Sequence, residues 1–166
     1  LKRILLLFLG LTCMLSTHGQ ELVTVKDAIA IFSNGTLSNA KSLLSKQEYT
    51  YKGITGYDNK SYTWCKRVNL SSDYLPKDFQ QGISSIFELS VKGDMACLYI
   101  FNRATYEQLK NEAKKLGYEA DKKKEFFFKE DAPYILFLEL GLLTTARRTS
   151  SSSESANFIK FFAFIS

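Results

Sequence analysis

The segment 84–101 leaves this chain little choice of fold. Over residues 84–91 the side chains alternate, Ile86, Glu88 and Ser90 against Phe87, Leu89 and Val91. A period of two places one set on each face of a strand. Lys92-Gly93-Asp94 then forms a compact turn, and residues 95–101 return as a second, apolar strand. Two such runs parted by a short glycine-bearing turn read as an antiparallel hairpin. A lone hairpin is marginal in water, so its apolar face must be covered by further strands or a helix.

The neighbouring sequence offers both. Residues 61–68 alternate as a third strand, with Tyr62, Trp64, Lys66 and Val68 on one face and Thr63, Cys65 and Arg67 on the other. Residues 48–54 are extended and reach that strand through the turn Gly56-Tyr57-Asp58-Asn59-Lys60. Pro76 biases Leu75 away from helix, so residues 73–77 are a loop. Two more strands are expected over 125–129 and 134–140, parted by Glu130-Asp131-Ala132-Pro133.

Two helices are expected as well. Over 104–116, Tyr106, Leu109, Ala113 and Leu116 share one face, and Gly117 stands where a left-handed cap is wanted. A shorter helix covers 39–46, with Ser38 as its N-cap and Leu43 and Leu44 turned inward. The expected fold class is therefore α+β, an antiparallel sheet with two helices packed on one face. Each helix is followed by a tyrosine (Tyr49, Tyr118) and antiparallel strands, so the chain reads as two helix-plus-strands repeats sharing one sheet.

Residues 1–19 read as a cleavable signal peptide. Lys2 and Arg3 are its basic start, residues 4–15 its apolar core, and Thr17 and Gly19 the small residues before a cut at Gln20. Two rival readings fit less well. Lipidation at Cys13 wants small residues just before it, where Leu11-Thr12 stand. A buried N-terminal helix wants an amphipathic period, which the Leu/Phe run lacks. Export places the product in the periplasm or outside the cell. Residues 20–143 form one α+β domain. Residues 144–166 are a Ser-rich linker followed by an apolar tail, which is either a final strand or an exposed adhesive segment. No run approaches the roughly 20 apolar residues of a spanning helix, so no membrane span is expected.

Cleavage changes the chemistry that remains. The one His of the chain is His18, which departs with the leader. Without imidazole there is no Ser-His-Asp or Cys-His nucleophile pair and no His-ligated zinc. The Gly-rich phosphate-binding motifs are missing too, so neither a cofactor nor a metal is expected. Loss of Lys2 and Arg3, with no acid removed, lowers the net charge from +5 to +3. That charge is dispersed along the chain, which argues against a nucleic-acid partner. Cys13 also leaves, and Cys65 and Cys97 remain. In an oxidising compartment they form either a disulfide across the sheet or two small buried thiols, and geometry decides between them.

Tyrosine and tryptophan crowd the first hundred residues: Tyr49, Tyr51, Tyr57, Tyr62, Trp64, Tyr74 and Tyr99. Such rings are either ordinary core and strand-surface residues or large, stiff contact area for a partner. If one strand face binds, Tyr62, Trp64 and Lys66 are its residues, and an envelope protein or a glycan is the partner. This makes the chain a non-catalytic exported binding module. The alternative is a small exported hydrolase working with paired carboxylates, drawn from Glu88, Asp94, Glu130, Asp131 and Glu139.

The Leu-rich leader ending in Ser-Thr-His-Gly-Gln and the small α/β body resemble small periplasmic or secreted proteins of Gram-negative bacteria, a group with no assigned activity. The tandem helix-plus-sheet pattern is more distantly similar to the beta-lactamase-inhibitor-like fold. That resemblance implies protein binding through a sheet face.

Overall fold

The computed structural model describes residues 23–122, 126–129, 134–143 and 156–165. Among these, three helices and an antiparallel sheet give an α+β fold. The expected leader, Glu130 and Asp131 lie outside the described residues.

Helix α1 (Val25–Asn34) begins with a capping box. The Thr24 hydroxyl accepts the Asp27 N–H at 3.1 Å, and the Asp27 carboxylate accepts the Thr24 N–H. It stops at Gly35, whose φ of 57° is the left-handed cap that glycine adopts without a Cβ penalty. Val25, Ala28, Ile31 and Phe32 are its buried stripe. Helix α2 (Leu37–Lys46) starts earlier than the sequence suggests. Thr36, not Ser38, is the N-cap, its hydroxyl accepting the Asn39 N–H. Helix α3 (Arg103–Lys115) is capped by Asn102, whose side-chain oxygen accepts from Ala104 and Thr105.

The strands are β1 (Thr50–Thr55), β2 (Ser61–Lys66), β3 (Asn69–Leu70), β4 (Pro76–Lys77), β5 (Ser85–Ser90), β6 (Met95–Ile100), β7 (Glu119–Ala120), β8 (Phe126–Phe128), β9 (Tyr134–Leu143) and β10 (Ala156–Ile165). Eight of them form one sheet in the order β1-β2-β5-β6-β10-β9-β8-β7, while β3 and β4 pair separately. The expected hairpin is β5–β6, with Phe87 opposite Leu98. The apolar tail is strand β10, which lies inside the sheet between β6 and β9 and not at its rim. Either side of the β6–β10 junction stand four strands that follow a helix in the chain, α2 on one side and α3 on the other.

The main core gathers Ala28, Ile31, Ala40, Leu44, Leu109 and Ala113 of the helices with Trp64, Phe87, Leu98, Phe127 and Leu136 of the sheet. Full burial of a Leu, Ile or Phe among them contributes about 1.5–3 kcal/mol. A second, smaller cluster holds Cys65, Val68, Ile86 and Phe101, with Leu70, Phe79 and Tyr99 packed against it. Phe79 stacks on Phe101 at 4.5 Å between centroids. Cys65 and Ile86 alternate with Trp64 and Phe87 along their strands, so this cluster occupies the opposite sheet face, beneath the β3–β4 excursion.

Val68 is placed differently from expectation. It does not share the face of Trp64, because β2 ends at Lys66 and Arg67 adopts a φ of 49°. That left-handed residue turns the chain and delivers Val68 to the second cluster. Of the two readings open for the cysteines the structure takes the second: Cys65 and Cys97 are buried and not joined in a disulfide. Strand β5 runs between their strands, Cys65 facing Ile86 and Cys97 facing Glu88. Two strand spacings make roughly 9–10 Å of sheet. A disulfide needs Cα atoms within about 7 Å.

Candidate functional site

The strand face proposed from sequence is inside the protein. Trp64 is fully buried and Lys66 is 2% exposed, while Tyr62 is half-buried and packed against the main core. The Trp64 ring meets Tyr51 at 5.1 Å and Phe87 at 6.3 Å. Its alternation with Tyr62 and Lys66 is real, but that face receives the helices. Trp64 and Lys66 are out of a partner's reach, and Tyr62 is only partly exposed.

Lys66 instead belongs to a sealed polar cluster at the end of β2. It lies opposite Ser85 in the antiparallel register, with its Nζ 5.7 Å from the centroid of the Tyr49 ring. The Tyr49 hydroxyl and the Ser85 hydroxyl share a hydrogen bond. Burial pushes the Tyr49 phenol up to about 12, against the lowering effect of the Ser85 bond. Tyr49, Lys66 and Ser85 are all buried, so the Tyr49–Ser85 bond pairs polar groups inside the protein.

The described acids stand at separate places in the sheet. The Glu88 carboxylate accepts the Tyr99 hydroxyl at 3.1 Å. Burial, together with the charge of Glu88, raises the Tyr99 phenol well above its ordinary range. Glu139 lies on β9 opposite Lys160 of β10. Asp94 lines a hollow of about 530 Å³ between the β1–β2 and β5–β6 turns, together with Asp58, Lys60 and Lys92. Among the described residues no three acidic, Cys or His side chains cluster to hold a metal ion. No described helix is long and apolar enough to cross a membrane.

The exposed aromatic surface is elsewhere, on two loops. Tyr57, in the β1–β2 turn, is 71% exposed, and Tyr74, in the β3–β4 turn, is 41% exposed. Their rings nonetheless meet edge to face at 5.6 Å. The Tyr57 hydroxyl donates to Asp73 at 3.4 Å. The turn carrying Tyr74 is fixed by its own bonds: Ser71 N–H to Leu75 carbonyl at 2.8 Å and Leu75 N–H to the Ser71 hydroxyl at 3.1 Å. Tyr74 itself holds a φ of 60°, rare for an aromatic residue. Leu75 follows it, 52% exposed, and Ile54 just before the first turn is also 52% exposed.

Gly56 shapes the first of these loops. Its φ is 89°, and a Cβ there would run into the Asn59 carbonyl. The sequence named both turns but singled out neither tyrosine. A Tyr inside each of two turn-forming segments was the available signal, since ring placement in a loop rarely serves the core.

Comparison with protein-family models, curated proteins and solved structures finds no match to this chain.

Proposed function

We propose that this chain is an exported, non-catalytic module that binds a protein partner through the loop-borne pair Tyr57 and Tyr74, with Leu75 beside them. The single observation that carries the reading is that two exposed rings are braced against each other, not left loose. Tyrosine offers large, stiff, amphipathic area at low entropic cost, which is why it dominates loop-based protein recognition. Rings already held by a mutual contact and by Asp73 lose little further freedom on binding. The partner surface that fits them is a shallow apolar pocket able to take two rings and to hydrogen-bond their hydroxyls.

Export is part of the proposal and rests on the leader pattern of residues 1–19. An internal duplication is part of the proposal too. The strand order around the β6–β10 junction, four strands after a helix on each side, is what two tandem units sharing one sheet would produce.

The test compares the chain with its Tyr57→Ser/Tyr74→Ser variant in crosslinking capture from the native envelope. The expected result is one protein captured by the parent and lost by the variant, with both melting at the same temperature. Equal capture overturns the reading. So does a glycan that binds the parent and not the variant, because it would make the rings a sugar platform.

A further inference from the structure

Taking the tyrosine pair as the binding site, we infer that the partner presents an arginine to it, laid against the Tyr57 and Tyr74 rings with its guanidinium turned toward the Asp73 carboxylate. Tyr49, Tyr51, Tyr106 and Tyr118 each have a lysine of this chain near the ring, Lys66, Lys41, Lys110 and Lys129, with the ammonium 4.5 to 6.0 Å from the centroid. Among the described residues no cation stands over Tyr57 or Tyr74, although these are the two tyrosines most open to solvent. The face of an aromatic ring is its negative side and attracts a cation, more often a guanidinium than an ammonium.

The charge beside the rings points the same way. Asp73 accepts the Tyr57 hydroxyl through Oδ1 and has no ion pair among the described residues. The other charges nearby offset one another. Asp58 and Asp94 share their hollow with Lys60 and Lys92. Lys77 lies opposite Asn69 at the foot of the β3–β4 excursion, away from the tip that carries Asp73 and Tyr74. Two ring faces and one carboxylate are complementary to a cation. Arginine fits them better than lysine. Its flat guanidinium stacks on a ring while its N–H groups reach a carboxylate, whereas an ammonium is a more strongly hydrated point charge.

These groups are also held ready. The Tyr74 N–H donates to the Ser71 carbonyl at 3.0 Å, which closes the turn bearing Asp73. The two rings stand at 64° to each other, so they form an open corner and not a flat surface. A side chain entering that corner meets groups that need little further ordering.

The test is selection of a random octapeptide display library on the full chain, repeated on Tyr57→Ser/Tyr74→Ser and on Asp73→Asn. Asparagine keeps an oxygen for the Tyr57 hydroxyl, so the second variant removes charge and not the loop contact. Peptides enriched on the parent and absent from the double variant should carry an arginine. Replacing it by citrulline, its uncharged isostere, should weaken binding to the parent about five- to tenfold and to Asp73→Asn about twofold. Tyrosine-dependent peptides without arginine, lysine-bearing ones included, overturn the arginine and leave the pair as a binding site. An equal citrulline loss in the parent and Asp73→Asn likewise overturns the arginine seated on Asp73. A library with no tyrosine-dependent peptides overturns the pair and the arginine together.

Discussion

The carboxylate of Glu112, in the last half of α3, accepts the backbone N–H of Val25 at the start of α1 at 3.0 Å, and its second oxygen accepts the N–H of Lys26 at 3.1 Å. The first turn of a helix has N–H groups with no partner inside the helix, and its dipole favours negative charge there. Thr24 and Asp27 satisfy some of these locally. Glu112 satisfies two more from 86 and 87 residues away. It therefore acts as a cap and as a tie between α1 and α3.

Replacing Glu112 by Ala should cost about 2–3 kcal/mol, since two charge-assisted bonds to helix N–H groups are lost together. Glu112→Gln keeps one acceptor oxygen and should cost roughly half as much. Urea denaturation of both variants checks this. If Ala and Gln behave alike and both fall within about 0.5 kcal/mol of the parent, a range typical of plain surface substitutions, the tie is not stabilising.

Alkaline pH should unfold the protein through acids that burial keeps protonated, Tyr49, Cys65 and Tyr99. Burial raises the Tyr49 phenol from 10.0 to about 12 and the Cys65 thiol from 9.0 to about 11. Unfolded chains release these protons at the ordinary values, whereas the native state keeps them. Stability is thus complete below about pH 9 and is lost as pH rises through 11 and 12. Tyr49 alone accounts for about 2–3 kcal/mol of that loss. Denaturation midpoints at pH 7, 9 and 11 should fall in that order, and Tyr49→Phe should flatten the last step. A midpoint that rises with pH would contradict the assignment.

Cys65 and Cys97 should remain thiols under oxidising conditions. A neighbouring strand separates them, and both are 2% exposed. The intact mass should be the same with and without reductant. Iodoacetamide should modify neither residue in the native protein and both after unfolding, because burial keeps the Cys65 thiol protonated. An internal crosslink recovered from the folded chain would mean that β5 does not lie between β2 and β6.

The β5–β6 hairpin was legible because two alternating runs and a Gly turn leave one pairing and one register. Helix α3 was legible from the spacing of Leu109 and Ala113. Helix α1 was not recognised, although Val25, Ala28, Ile31 and Phe32 carry the helical spacing and Thr24-x-x-Asp27 a capping box.

Other features had no local signal. Insertion of β10 beside β6 pairs residues more than fifty positions apart, and nothing in either strand names its neighbour. The left-handed turn at Arg67 is set by the buried Ser84 hydroxyl, seventeen residues on. Alternation likewise revealed that Tyr62, Trp64 and Lys66 share a face, but not that helices would cover it.

Trp64 makes that last distinction measurable. As the one tryptophan in the chain, fully buried between Tyr51 and Phe87, it should fluoresce with a blue-shifted maximum that moves red on unfolding. Trp64→Ala should cost about 3–5 kcal/mol, because the surrounding rings and helices cannot close over so large a cavity. Trp64→Phe should be much milder. Among the described residues the buried indole Nε1 finds no hydrogen-bond partner, so removing it returns about 1 kcal/mol against the lost packing. Circular-dichroism melts of the two variants read this ordering directly. A binding residue on an open face would give the reverse pattern: unchanged melts for both variants, and a red emission maximum in the native parent.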